Sequence, residues 1–222
     1  MSVTQGLLTG AWLFWLQLGY GLVLLWALWR APWRILAREP RLQHLYLGAT
    51  VVIMLMWQLR AGISPGMAVH FLGVTTLTLM FGWELAIISA TLALTGMSLI
   101  GLEAWDGFSV NGLCAAVVPA LASYYGLRLV ERLFPPNFFV YLFAGVFANA
   151  ALAATLSGLS MMLVLGLAGV YSLDKILNEY LLFLPLIMFP EGLLNGILMT
   201  GMMVYYPDWI RTFDAKRYID EQ

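Results

Sequence analysis

The chain has 222 residues, a formal net charge of −1, and 10% charged residues against 62% from the hydrophobic set, where a soluble domain carries about 25% charged residues. So few charges cannot clothe a water-facing surface, which excludes a large soluble domain, and the near-neutral balance leaves no basic footprint for nucleic acid. The single cysteine, Cys114, excludes an intramolecular disulfide and a Cys-pair metal site.

Met1 to Thr9 contain no Lys or Arg, so the positive region of a cleavable signal peptide is missing and the first apolar run is expected to be a retained span. That span runs from about Thr9 to Trp29 and ends in a cluster of Arg30, Arg34, Arg38 and Arg41, with Pro32 and Pro40 breaking the helix. A short second span runs from about Leu45 to Leu59, capped by Arg60. The breakers Ala61-Gly62-Ile63-Ser64-Pro65-Gly66 follow. From Met67 to Ile100 the chain is apolar for 34 residues, too long for one span of a bilayer about 30 Å thick. A turn at Phe81-Gly82-Trp83-Glu84 divides it into spans three and four.

Gly101 to Val110 reads as a polar loop carrying Glu103 and Asp106. Span five covers about Asn111 to Leu127, and Arg128, Glu131, Arg132, Pro135 and Pro136 form a charged loop. Span six covers about Phe138 to Leu163. Asp174 and Lys175 mark a short loop, and span seven runs from about Tyr180 to Tyr205 before a charged tail. The expected fold is an all-α polytopic membrane protein of about seven transmembrane helices, a single transmembrane domain over residues 1–222. Basic residues concentrate on the cytoplasmic side of such proteins. With the N-terminus outside and the C-terminus cytoplasmic, nine of the eleven Lys and Arg fall inside, leaving Arg60 and Lys175 outside. A bacterial inner (cytoplasmic) membrane is the expected location.

An ionisable residue in lipid costs about 2.5–3.5 kcal/mol on insertion scales and is a functional candidate for that reason. His70 lies near the outer end of span three, either an interfacial histidine bonded to a backbone carbonyl or a metal ligand. Met67, three residues earlier, would share its face on a helix. Glu191 follows Pro190 near the middle of span seven, and Asn195 is four residues on, on the same face. The two read either as a polar clamp between helices or as part of a transport path. Glu84 reads as a helix N-terminal acid, and His44 as solvated beside Arg41. The twelve methionines are soft ligands in principle and adaptable packing more commonly. Cys114 reads chiefly as a small buried residue. No nucleophile–base pair, paired acid–base carboxylates or Walker A motif is present, so no enzymatic activity, cofactor or intrinsic ATP hydrolysis is expected.

Three stretches resemble the cobalt/nickel-type substrate-binding permeases of energy-coupling-factor ABC transporters, and together they span most of the chain. Gly62-Ile63-Ser64-Pro65-Gly66 through His70 and Gly73 is similar to the family's Pro-Gly-Gly stretch leading to a histidine-containing helix, and Leu79-Met80-Phe81-Gly82-Trp83 resembles its Leu-Gly-Pro-Trp turn. Asp106-Gly107 before Asn111-Gly112 resembles an Asp-Gly loop ahead of a Gly-Ala-Asn helix. Glu191-Gly192 through Gly196, then Tyr206-Pro207-Asp208, resembles a Glu-Ala…Thr-Gly helix ending in Arg-Pro-Asp.

The resemblance implies a seven-helix membrane domain whose outer N-terminus tucks into the bundle and helps to ligate the metal. It also implies partners: a transmembrane coupling subunit and cytoplasmic ATPases, within the lipid bilayer. The family begins Met-His-Ile-Pro-Asp-Gly, whereas this chain begins Met1-Ser2-Val3-Thr4-Gln5-Gly6. The implied metal positions are therefore Met1, Ser2 and His70, with Met67 and Cys114 as further candidates that favour a softer ion. Ser2 in place of histidine removes an imidazole and should weaken Ni²⁺ or Co²⁺ binding. Binding should also weaken as His70 protonates. The missing imidazole motivates a competing expectation, a membrane assembly or interaction factor on the same scaffold, for instance for a metalloprotein. An intramembrane enzyme is a third and weaker one.

Overall fold

The structure, a computed structural model, describes residues 2–4, 7–8, 10–64, 66–216 and 218. Strand β1 (Ser2–Val3) precedes helix α1 (Ala11–Arg30), a short α2 (Trp33–Arg38) and α3 (Pro40–Gln58). Strands β2 (Arg60–Ser64) and β3 (Met67–His70) lead into α4 (Val74–Phe81) and α5 (Trp83–Leu99). Three long helices complete the chain: α6 (Trp105–Leu133), α7 (Phe138–Leu167) and α8 (Leu173–Tyr205).

Among the described residues, α1, α6, α7 and α8 are long and apolar enough to cross a bilayer, and α5 is a shorter apolar helix of 17 residues. Their outward faces carry exposed large apolar side chains, such as Trp15, Leu22 and Leu25 on α1 and Leu182, Leu186, Phe189 and Ile197 on α8. A helix with apolar residues all round needs lipid rather than water outside it. The chain is a multi-pass membrane protein.

Three expectations are corrected. The chain is mostly helical, as expected, but not purely α, because β1, β3 and β2 form a three-stranded antiparallel sheet in that order, with Ser2 paired to Ala68 and Arg60 to His70. The third span does not begin at Met67 either. Met67 to His70 is strand, and the helix that follows, α4, has only eight residues, about 12 Å of rise. Gly66 and Gly73, both at positive φ, bracket the strand and leave too little chain for a span. The turn expected at Gly82 is present, with φ 93°, a conformation open to glycine and costly for other residues. Asp174 and Lys175 lie in the first turn of α8 rather than in a loop, since the Ser172 hydroxyl caps that helix by accepting from Lys175 N–H at 3.3 Å.

Every residue of α4 is buried, so the backbone groups free at its two ends must find partners within the protein. At the N-terminal end, Leu72 N–H and Gly73 N–H donate to the two carboxylate oxygens of Glu191, each at 2.8 Å. Thr76 N–H and its hydroxyl donate to Asn195 Oδ1 at 2.9 and 2.7 Å. At the C-terminal end, Arg211 N–H donates to Met80 O and Thr212 N–H to Leu79 O, both at 3.2 Å. The Arg211 guanidinium reaches Phe81 O at 3.1 Å. One helix, α8, and the segment behind it thus close both ends of α4.

Candidate metal centre

The sheet sets the frame for His70. Antiparallel pairing of Ser2 with Ala68 and Val3 with Met67 turns the N-terminal end of β1 toward the His70 end of β3. Strand alternation puts Ser2, Ala68 and His70 on one face of the sheet and Val3, Met67 and Val69 on the other.

β1 is held by side chains as well as by β3. Val3 N–H donates to Asn111 Oδ1 at 2.7 Å, and Asn111 Nδ2 donates back to Val3 O at 2.9 Å, so one side-chain amide imitates a neighbouring strand. The Ser2 hydroxyl donates to Glu103 Oε1 at 2.8 Å. Arg60 donates to the same oxygen at 2.9 Å and to Leu102 O at 2.7 Å, and Asn111 Nδ2 meets Glu103 Oε2 at 3.2 Å. Glu103 is buried. Burial pushes its carboxyl up, against the Ser2 hydroxyl and the Arg60 charge, which hold it down. Arg60, expected to cap a span, is instead the counter-ion of this carboxylate.

His70 is buried, with its ring 5.0 Å from that of Trp57. Its Nδ1 lies 2.9 Å from Phe71 O. A carbonyl only accepts, so Nδ1 carries the proton and Nε2 keeps a lone pair. His70 lies in the sheet, outside the helical spans. Burial first, and nearby positive charge including Arg60, push its imidazole down to about 3, against the bond to Phe71. The expected loss of metal binding as His70 protonates therefore moves well below neutral pH. A cleft of about 450 Å³ is lined by residues that include Arg60, His70, Phe71, Leu186, Ile187 and Pro190.

The structure brings some of the sequence candidates together and separates others. Ser2 and His70 lie on neighbouring strands of one sheet, with the Ser2 hydroxyl engaged by Glu103. Met1 lies outside the described residues. Met67 does not share a face with His70, because an offset of three residues means the same face on a helix and opposite faces on a strand. It packs instead with Val3, Val110 and Cys114 in one buried apolar cluster, so Met67 and Cys114 both read as packing. Glu191 and Asn195 share a face of α8 as expected, and Asn195 Nδ2 donates to Glu191 Oε1 at 2.9 Å. Glu84 sits in the first turn of α5. Among the described residues, no three His, Cys, Asp or Glu side chains come together as a metal cluster. Sequence reasoning named Glu103 only as a loop residue and Asn111 only within a motif, and missed their joint hold on β1. A carboxylate in a short loop looks solvated until β1 is known to fold over it.

The chain matches the family described as the cobalt uptake substrate-specific transmembrane region (CbiM) over residues 3–209. No curated protein matches it. Among solved structures it is similar to a truncated transition metal transporter, at 17% identity and a TM-score of 0.73, covering 92% of this chain and 99% of that one. A second transition metal transporter is similar at 18% identity and a TM-score of 0.71, with 92% and 93% covered. At these identities the likeness establishes a common fold.

Proposed function

This chain belongs to the cobalt uptake substrate-specific transmembrane family, and from that premise we propose that it is the substrate-binding permease subunit of an energy-coupling-factor ABC transporter for a transition-metal ion of the cobalt/nickel kind. The single observation that carries this reading is the family match over residues 3–209. The chain holds no phosphate-binding loop, so energy comes from cytoplasmic ATPases joined through a transmembrane coupling subunit. The bilayer is the bacterial inner membrane. Seven helices cross or enter it, with the N-terminus outside, an orientation supported by nine of eleven Lys and Arg on the cytoplasmic side.

The ion binds at the outer end, to His70 Nε2 and the N-terminal segment of Met1 and Ser2. Two features support His70: its Nδ1–H is committed to Phe71 O, which leaves Nε2 for a metal, and the residue helps to line a cleft. Because the Ser2 hydroxyl is bonded to Glu103, residue 2 contributes backbone rather than side chain. The test is accumulation of Ni²⁺ or Co²⁺ by cells expressing this chain with its coupling subunit and ATPases. Uptake should exceed that of cells lacking the ATPases and fall to that background with His70→Ala. Equal accumulation with and without this chain would contradict the proposal.

One observation favours a second reading, an assembly factor for a metalloprotein on the same scaffold: Ser2 stands where the family motif has its second-position histidine. Stable co-purification with such a protein, and none with ATPases, would favour it.

A further inference from the structure

The Phe71–Leu72 peptide unit is bonded at both ends to ionisable side chains. Its carbonyl accepts from His70 Nδ1–H at 2.9 Å, and its N–H donates to Glu191 Oε2 at 2.8 Å. Both oxygens of Glu191 act as acceptors, since Oε1 takes Gly73 N–H at 2.8 Å and Asn195 Nδ2 at 2.9 Å. A carboxylate on the N–H side of an amide draws electron density toward the carbonyl oxygen and strengthens the bond that oxygen accepts, because hydrogen bonds in series polarise one another. Metal-binding histidines are commonly oriented by a carboxylate or carbonyl on the ring nitrogen that does not bind the metal. Here the two devices stand in series through one peptide bond.

We propose that Glu191 is a positioning residue for His70: through the Phe71–Leu72 peptide it holds the imidazole in the Nδ1–H form and presents Nε2 to the transition-metal ion. The inference rests on the reading of His70 as a ligand. It assigns Glu191 a part in ion binding from α8, although among the described residues its carboxylate accepts from backbone N–H groups and Asn195.

The contacts separate this role from capping. In Glu191→Gln the amide oxygen is drawn to the Oε1 position, where it still accepts from Gly73 and Asn195. The amide nitrogen then faces Leu72 N–H, donor against donor, so the arm leading to His70 is the one lost. Thr76→Val removes one bond to Asn195 on the capping arm and leaves the Leu72 bond in place.

The experiment is ¹⁵N NMR of histidine-labelled full-length protein in detergent, without metal, followed by titration with Ni²⁺. Wild type and Thr76→Val should show His70 as the Nδ1–H tautomer. Glu191→Gln should show a mixture and bind Ni²⁺ about 10–100-fold more weakly, the usual effect of losing an outer-shell partner. Glu191→Asp keeps the charge, withdraws it by one methylene, and gives the same readouts where the amide variant fails to fold. A folded Glu191 variant with the wild-type tautomer would overturn the proposal. His70→Ala is run alongside: unchanged Ni²⁺ binding there would sink the ligand reading, while the tautomer result would still decide the part played by Glu191.

Discussion

At the scale of single residues, Glu103 is the pin that fastens the N-terminal strand. It joins Ser2, Arg60 and Asn111 in one buried group. Removing one partner of a buried charged pair costs about 3–5 kcal/mol, and Arg60 keeps some solvent access, so Glu103→Ala should cost about 3 kcal/mol. Thermal unfolding in detergent checks this, and hydrogen exchange at Val3 should quicken by more than exchange within α7. His70 supplies a pH dependence of known sign. Its folded-state value, about 3, lies below the ordinary 6.5, so the unfolded chain binds the extra proton first. The contribution is complete above pH 6.5 and is lost as pH falls from there toward 3. The melting temperature should drop through that window, and the drop should shrink in His70→Gln. Residues of this kind were legible in the sequence to different degrees. His70, Glu191 and Asn195 stood out because each interrupts an apolar run. Glu103 did not, because its burial depends on β1, which lies 101 residues away along the chain.

Among the elements, α4 repays the closest reading. Its eight residues are all buried, and α8 supplies acceptors to one end while the segment after α8 supplies donors to the other. Asn195→Ala leaves the Thr76 N–H and hydroxyl without their acceptor and should cost about 1–3 kcal/mol, measured as a lower melting temperature at unchanged expression. Reading apolar runs placed α1, α5 and α7 closely, as well as the turn at Gly82, because length and breakers decide those features, but it began α3, α6 and α8 too late, at Leu45, Asn111 and Tyr180 rather than Pro40, Trp105 and Leu173. It mistook Met67 to His70 for helix. A short apolar run flanked by glycines suits a buried strand or a buried helix equally, and the choice is made by β1 arriving from the far N-terminus to pair with it. That error carried the misplacement of Met67, since the face a residue occupies depends on which period it follows.

For the whole molecule, one helix ties two distant regions together. α8 holds the turn after His70 through Glu191 and Asn195, and its trailing segment holds the far end of α4 through Arg211 and Thr212. A movement of α8 and its trailing segment against the bundle therefore acts on both ends of α4 at once. Composition revealed the multi-pass membrane character, because lipid is the only solvent that so apolar a surface tolerates. On the proposed function, the identity of the ion would follow from ligand geometry around His70, which residue spacing does not encode. The central claim, that His70 anchors a transition-metal ion, is tested most directly by elemental mass spectrometry of the purified protein after loading with nickel, cobalt, zinc or copper(I), with His70→Ala alongside. One near-stoichiometric metal in the wild type and its loss in a folded His70→Ala variant is the expected result. Equal metal in both proteins, or none in either, would contradict it.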